Sequence, residues 1–362
     1  MLKVIHRWLG LAVGLVLVVV SLSGSWLIYH REWRQPEFVL EVKSQSLPLE
    51  ALYKNALTVL NKTDGVLIRF PKKPELPYQF SSMGSGRERI FMDQYSGEIL
   101  ARRATDYWPY GWILDLHTKF LAGKTGETIL GIFGFGALFI SIIGIILWLP
   151  KSGQKLKKNL KLRLKKSRYV LHYDLHRHIG MLMAPMLIVI FVTGITLVFK
   201  KEFSHLVNWI AHSKVIDAVN ITPDENLERV DLDSIIESAD KAMPGGRIRI
   251  MIIPADNKPI VVRKQMSQDP HPNGLNFIHI DANTGKPLQL IPVSEADFAR
   301  KLFNWIYPLH TGQAFNEWYY WVLFAIGFVP AILLLTACTT FAIRNFHTRQ
   351  PKNDVINSRR TI

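Results

Sequence analysis

The sequence predicts an α-helical polytopic membrane protein with four transmembrane helices and two α+β domains outside the cytoplasm. Three observations predict this fold class: four long apolar runs, a surplus of positive charge on one side of those runs, and an internal repeat with a period of about 190 residues. Together they indicate two copies of one unit, in which a helix, an extracytoplasmic domain and a second helix follow in order.

Four apolar runs lack Asp, Glu, Lys and Arg altogether. They cover residues 8–29, 128–149, 179–199 and 318–343, with lengths of 22, 22, 21 and 26 residues. A bilayer core of about 30 Å needs roughly 20 helical residues at a rise of about 1.5 Å each. Because a helix satisfies its own backbone amides, it is the conformation in which an isolated apolar run can cross lipid. A soluble protein with four long core helices fits such uninterrupted runs poorly.

Basic residues are concentrated on one side of the apolar runs. The N-terminus, the 150–178 loop and the residues after 343 carry 17 Lys or Arg and 2 acidic residues. The large loops 31–127 and 200–317 hold 14 basic with 12 acidic residues and 13 basic with 15, so their net charges cancel. The whole surplus of +15 thus lies on one face, which is the pattern of cytoplasmic segments. This location indicates anionic lipid headgroups, not nucleic acid, as the partner of the charge.

The runs and the charges divide the chain into eight segments in a bacterial-type inner membrane. The predicted order is transmembrane helix 1–30, extracytoplasmic domain 31–127, helix 128–149, basic cytoplasmic loop 150–178, helix 179–199, second extracytoplasmic domain 200–317, helix 318–343 and cytoplasmic tail 344–362. Both termini are therefore expected in the cytoplasm and both large loops in the periplasm.

The first apolar run also has the layout of a cleavable signal peptide, since a basic start and an apolar stretch precede small residues at 21–25. The internal repeat argues against cleavage. His6 and His176 each open a His-x-x-x-Gly pattern, and a further glycine, Gly24 or Gly194, follows 18 residues after the histidine. We therefore expect the first run to remain as a helix, like its repeat in the third.

The two large loops share one order of predicted elements. A helix over 49–60 precedes strands over 66–70, 78–80 and 89–92, and a helix over 232–242 precedes strands over 247–253, 260–263 and 276–280. An Asp-x-x-[Ser/Thr]-Gly turn follows at Asp93 and at Asp281, where aspartate bonds nearby amides and glycine supplies a positive φ. The tripeptide Leu-His-Thr, with His117 or His310, then precedes the second and the fourth run.

This order of motifs resembles the PepSY-associated transmembrane helix proteins. The resemblance covers roughly residues 1–345 and rests on the His-x-x-x-Gly helices, the Asp-x-x-[Ser/Thr]-Gly modules, the Leu-His-Thr segments and their repetition. It implies a PepSY-like fold for each loop. Some members resemble haem-containing reductases of ferric siderophores and many are linked to iron uptake, while others have no assigned role. The resemblance therefore supports the fold more strongly than it supports a haem-carrying membrane oxidoreductase.

Histidines at the ends of the apolar runs are the candidate cofactor ligands. Neutral imidazole is a good axial ligand of haem iron, and two such ligands leave no open position, which favours electron transfer. Equivalent repeat positions predict that His6 and His176 hold one haem on the cytoplasmic side. On the outer side two of His30, His117 and His310 are expected to hold another, and the repeat favours the last two. The alternative, that these side chains simply lie at the headgroup level, stays open.

Other cofactor chemistry has weaker support in the sequence. His172 and His176 stand one helical turn apart, as in a zinc site, but Tyr173 occupies the position where a zinc peptidase needs glutamate. Cys338 is the only cysteine, so any haem should be b-type, without covalent attachment. Glycines at 131, 134, 136 and 144 suit close helix packing. No nucleotide-binding pattern occurs, so electrons have to come from quinol or a separate cytoplasmic reductase.

The leading functional hypothesis is electron transfer through two b-type haems to an extracytoplasmic ferric chelate, such as a ferric siderophore. Reduction weakens the hold of hard oxygen donors on iron and so releases the metal. Aromatic residues could line a docking surface or form an interfacial belt: Tyr107, Trp108, Tyr110, Trp112, Trp305 and Tyr307. The alternative is a non-enzymatic membrane module whose PepSY-like domains bind or inhibit a partner protein.

Overall fold

The structure is a computed structural model that describes residues 1–32, 37–60, 65–84, 88–104, 108–150, 161–163, 166–213, 229–255 and 258–347. The chain divides into two compact units. The membrane unit comprises Met1–Trp26, His117–Ile195 and Trp321–Ile362, and the sheet unit comprises Leu27–Leu116 and Thr196–Tyr320. Most of the basic loop 151–168 and the end of the tail, 348–362, lie outside the described residues.

Four helical segments are long and apolar enough to cross a membrane, which confirms the predicted spans. They are Leu2–His30, Gly123–Trp148, Arg168–Val198 and Glu317–Asn345. The corresponding helices are α1 (Leu2–Glu32), α4 (Gly123–Trp148), α5 (Arg168–Val198) and, for the last span, α9 (Glu317–Ile326) followed by α10 (Val329–His347). Each span extends beyond its apolar run at one end or both, because helical hydrogen bonding continues into the flanking polar residues.

The fourth span is interrupted at Gly327 and Phe328. Phe328 N–H bonds to the carbonyl of Ala325 at 3.1 Å, so it does not close the usual turn onto the carbonyl of Phe324. The hydroxyl of Ser25 on α1 donates to that freed carbonyl at 2.9 Å. A Cβ at position 327 would collide with the Ser25 side chain. Glycine therefore permits the close approach, and the hydroxyl satisfies a backbone group that lipid could not.

Glycines allow close packing elsewhere in the membrane unit. A Cβ at Gly136 on α4 would lie 3.2 Å from Val13 on α1, and one at Gly134 would lie 2.9 Å from Ile195 on α5. Small residues let membrane helices approach closely enough for van der Waals contact to hold them together. The glycines of the second span are thus packing residues, as their spacing predicts.

The sheet unit is built around one antiparallel sheet of eight described strands. The strands are β1 (Val66–Arg69), β2 (Tyr78–Ser82), β3 (Glu88–Met92), β4 (Ile99–Ala104), β5 (Arg247–Ile253), β6 (Ile260–Gln265), β7 (Asn276–Ile280) and β8 (Pro287–Ile291). Their spatial order is β4-β3-β2-β1-β5-β6-β7-β8. Three strands of each loop are where the sequence predicts them, whereas β4 and β8 are additional strands at the two edges.

The two large loops, predicted as one α+β domain each, share this sheet. β1 of the first loop pairs with β5 of the second, with Val66 opposite Ile253 and Arg69 opposite Ile250. Each loop therefore places its first strand at the centre and its last strand at an edge. The sequence contains no local sign of this pairing, because the two strands come from segments that are far apart in the chain.

One face of the sheet carries the main core of this unit. Inward residues alternate along every central strand, as in Ile68, Phe80 and Met251, and they pack against helices α2 (Leu49–Ala56) and α7 (Leu232–Ala242). The other face bears helix α8 (Phe298–Thr311), whose Phe303 and Ile306 pack with Phe277 of β7. Helix α6 (Lys200–Ile210) also belongs to this unit, as does helix α3 (Tyr110–Lys119) up to Leu116.

Helices α2 and α7 cap each other across the two loops. The residue before α2 is Pro48, which has no side-chain acceptor, and the first two N–H groups of α2 donate to the Asp233 carboxylate at 2.8 and 3.1 Å. In return, Glu50 of α2 accepts from Leu232 N at 3.0 Å and pairs with Arg229. Orphan donors at each helix start are thus satisfied by an acid of the other helix.

Replacing Asp233 by alanine is expected to destabilise the sheet unit by about 1–2 kcal/mol, because two α2 donors lose their acceptor. The measurement is the thermal unfolding midpoint of the purified full-length protein. Glu237→Ala serves as the control, since Glu237 lies on the same helix and makes only an exposed pair with Lys241. That change should cost less than about 0.5 kcal/mol. Equal effects of the two substitutions would show that the reciprocal capping contributes nothing.

Candidate functional site

His6 of α1 and His176 of α5 lie side by side in the membrane unit. Their ring centroids are 6.1 Å apart and the ring planes are nearly perpendicular, at 83°. The glycine of α4 that faces this pair is Gly144, where a Cβ would lie 3.3 Å from the His6 ring. A larger residue there would press on the imidazole, so the backbone of α4 sets how far the ring can move.

The hydrogen bonds of His176 fix its tautomer. Nδ1 lies 3.0 Å from the backbone carbonyl of Leu333 and 3.2 Å from the hydroxyl of Thr336, both on α10. A carbonyl can only accept, so Nδ1 carries the hydrogen in the neutral ring and Nε2 keeps its lone pair. Metal-binding histidines use this arrangement, in which the nitrogen away from the metal donates to a carbonyl.

His6 also keeps one nitrogen for a ligand. The backbone carbonyl of Ile140 on α4 lies near the ring. Nδ1 is buried and has no hydrogen-bond partner among the described residues. A buried acceptor without a partner is costly unless something else satisfies it. His6 thus keeps one buried nitrogen without a partner among the described residues, and the tautomer of His176 leaves its Nε2 unprotonated.

His117 of α3 repeats the hydrogen bonding of His176 on another helix. Its Nδ1 lies 2.8 Å from the carbonyl of Val20 and 3.1 Å from the hydroxyl of Ser23, both on α1. In each case the hydroxyl lies three residues after the carbonyl and itself donates to that carbonyl, at 2.8 Å for Ser23 and 3.0 Å for Thr336. The same tautomer follows, with Nε2 unprotonated in the neutral ring.

Gly24 provides the space in which His117 lies. A Cβ at this position would be 2.8 Å from Cε1 of His117. The Ser23-Gly24 pair of the sequence repeat therefore has two roles here: the serine fixes the imidazole, and the glycine leaves room for it.

The geometry of the His6–His176 pair fits two axial ligands of one metal. An imidazole nitrogen binds a first-row metal at about 2.0–2.1 Å, which places two opposed ring centroids roughly 6 Å apart. The observed 6.1 Å agrees with that separation. Among the described residues, no group of three or more His, Cys, Asp or Glu side chains forms a metal site. Two neutral imidazoles would suit a haem, whose macrocycle supplies the remaining ligands.

The other two candidate ligands belong to the sheet unit. His30, near the end of α1, contacts Tyr110 at the start of α3, with ring centroids 4.9 Å apart and ring planes tilted by 38°. His310 is half-buried near the end of α8. The pairing of His117 with His310 or with His30 stays a prediction.

His178 is a possible ligand that the sequence analysis did not single out. Its Nδ1 lies 2.7 Å from the carbonyl of Asp174 in the same helix, and its Nε2 is buried with no partner among the described residues. The sequence feature that points to it is a further histidine two residues after His176, within the same motif. That spacing turns the ring to a different side of the helix from His176.

The predicted aromatic set is divided. Tyr107 lies outside the described residues. Trp108 and Trp112 are exposed and lie 5.3 Å apart, and Trp305 is also exposed. Tyr307 is packed instead, stacking at 4.8 Å on His271.

The four spans define a polytopic membrane protein. Its membrane unit carries candidate cofactor ligands between the helices. The chain belongs to the family described as the PepSY-associated TM region, whose match extends over residues 4–344. The match includes all four spans and all eight described strands. A search of curated proteins gives no match.

Proposed function

We propose that this protein carries electrons across the membrane through two b-type haems and reduces a ferric chelate on the outer side. The observation that carries the proposal is the shared arrangement of His176 and His117, each of which donates through Nδ1 to a backbone carbonyl beside a hydroxyl. Two unrelated helix contacts produce one tautomer, in which Nε2 is unprotonated.

The residues of this chain hold the cofactor and fix its position. His6 and His176 are the proposed ligands on one side of the membrane, and His117 with His310 or His30 on the other. Haem supplies reversible one-electron chemistry when it is bound. Thr336 and Ser23 hold the imidazoles in orientation, and the carbonyls they share raise the basicity of the ligands.

The proposal includes a substrate and an electron donor. One electron from quinol or a cytoplasmic reductase converts one Fe(III) in a chelate, such as a ferric siderophore, to Fe(II). The oxygen donors then bind the metal more weakly and release it for uptake. We place both termini in the cytoplasm and the sheet unit in the periplasm of a bacterial-type inner membrane, because the +15 surplus lies on the termini and the short loop.

We also regard the two halves as products of a duplication, with one PepSY-like segment in each large loop. In each half the strands follow in chain order from the centre of the sheet to one edge, which supports this view.

An absorption spectrum of the purified protein tests the proposal. We expect a Soret band with reducible α and β bands, and a pyridine haemochrome assay is expected to give two haems per chain. One haem per chain contradicts the two-site arrangement. A folded but colourless preparation contradicts electron transfer altogether and favours a module whose periplasmic segments bind a partner protein.

A further inference from the structure

Arginines from both large loops lie in line on one face of the sheet. Arg69 of β1 pairs with Ile250 of β5, which pairs in turn with Arg263 of β6. Directly paired residues point to the same face, so both guanidinium groups lie on the side opposite the core of α2 and α7. With strands about 4.8 Å apart, the two Cα atoms are separated by roughly 10 Å. Two cations at this spacing can reach one ligand.

A third arginine extends this line on the same face. Arg89 of β3 pairs with Ser81 of β2, which belongs to the same face as Gln79 and therefore as Arg69. The only acid on the described strands is Glu88, which alternates to the other face and pairs with Arg102. We call Arg69, Arg89 and Arg263 the basic face.

Neighbouring elements add charge and aromatic rings to the basic face. Burial, followed by the charge of Arg89, lowers the pKa of Arg69. Tyr307 and Tyr110 act in the opposite direction and raise it. Burial, followed by repulsion from Arg69, lowers the pKa of Arg263 to about 10. Burial, followed by the charge of Arg263, also lowers the pKa of Lys200 at the start of α6.

The described partners of Arg263 are neutral. Its Nε donates to the carbonyl of Gly274 at 2.6 Å, and its Nη2 lies 3.2 Å from Nδ1 of His271. The backbone N–H of Asn273 also donates to that Nδ1, at 3.1 Å, so His271 acts as an acceptor there. Burial and the charges of Arg263 and Lys200 lower the pKa of His271 to about 3, so it stays uncharged at neutral pH.

Asp269 is the acid that acts on Arg263, and it offsets burial and the repulsion from Arg69 only in part, because the pKa of Arg263 stays lowered. Asp269 accepts from Met266 N at 2.8 Å and from the Asn276 side chain at 2.6 Å. Partly buried cations are costly unless an opposite charge accompanies them. The basic face therefore has the composition of a binding site for an anion, with tyrosine hydroxyls beside the guanidinium groups as further donors.

We propose that the basic face binds a multiply charged carboxylate chelate, with Arg69 and Arg263 as its principal contacts and Tyr110 and Tyr307 at its edges. This inference rests on the proposed function, of which it names the substrate class: chelates that carry several carboxylates and a net negative charge. Because the two arginines come from different loops, the site exists only in the shared sheet.

Gallium citrate is the probe, since Ga(III) resembles Fe(III) but is not reduced, and binding is then measured apart from electron transfer. Equilibrium dialysis with the full-length protein in neutral-lipid nanodiscs should show saturable binding that weakens as salt is added. Arg69→Gln and Arg263→Gln should each weaken binding by about tenfold, or about 1.4 kcal/mol. Arg102→Gln, which removes an equal charge on the opposite face, should leave binding unchanged. An uncharged gallium trihydroxamate should bind at least about tenfold more weakly than gallium citrate.

Other outcomes separate this site from its alternatives. If the two substitutions leave gallium citrate binding unchanged but remove haem, the arginines serve haem propionates and the inference is wrong. If they change only the binding of phosphatidylglycerol, the face serves lipid and the inference is again wrong. If binding depends on both arginines in a protein that carries no haem, the anion site stands and the proposed function fails. If haem and reduction are present and chelate binding does not depend on either arginine, the proposed function stands and this inference is wrong.

Discussion

Replacing His176 by alanine is expected to halve the haem content and to stop reduction on the outer side of the membrane. The substitution removes one of the two proposed ligands of this site, which needs both imidazoles. The proposed second site uses no residue of α5, so one haem should remain. The measurements are the pyridine haemochrome ratio, expected to fall from two to one per chain, and the rate at which membrane vesicles reduce an external ferric chelate.

His172→Ala is the matched control for that substitution. His172 lies on the same helix, one turn earlier, and should be replaceable with both haems and the full rate retained. Thr336→Val tests the supporting hydroxyl separately: the Leu333 carbonyl still accepts from Nδ1, so we expect retention of haem with about 10–100-fold lower affinity. If His176→Ala keeps two haems and an unchanged spectrum, this histidine is not a ligand.

Replacing Gly24 by leucine is expected to remove the second haem without altering any proposed ligand. A Cβ at this position would lie 2.8 Å from Cε1 of His117, and a full side chain would displace the ring from Val20 and Ser23. The variant should therefore show the haem content and spectrum of His117→Ala. Spectra of the oxidised and reduced forms, with haem quantification, provide the measurement.

Gly10→Leu is the control, because a Cβ at Gly10 meets nothing within 4 Å. Both glycines lie inside α1, so both substitutions raise helix propensity by about 1 kcal/mol. Any difference between them then reports on the space around His117. Normal haem content in Gly24→Leu would mean that the position of His117 has no bearing on cofactor binding.

Much of the fold could be predicted because its signals are local. Apolar runs defined the spans, alternation defined the six inner strands, and Asp93 and Asp281 marked turns that the structure contains. The edge strands were missed since residues 99–104 are rich in arginine and alanine, and strand 287–291 begins with proline. Neither shows the apolar alternation of a buried strand. The break at Gly327 depends on Ser25, which is some 300 residues away in sequence.

The candidate site was predictable only in part. Repeat positions singled out His6, His117 and His176, whereas the carbonyls and hydroxyls that fix their tautomers come from other helices and leave no pattern near each histidine. The arginines of the basic face were hidden for a similar reason. A lone Arg69 at a strand end is unremarkable in sequence, and only the pairing of β1 with β5 brings it into line with Arg263.

The shared sheet also governs how this protein can be made. When β1 has been synthesised, its partner β5 lies about 180 residues further along the chain, which takes roughly 10–40 s to translate at about 5–20 residues per second. During that interval β1 is an open strand edge, and the first N–H groups of α2 lack the Asp233 acceptor. The first half of the chain is therefore an incomplete folding unit that must be protected until the second half arrives. Early association of its open edge with another nascent chain is the failure that this architecture has to avoid.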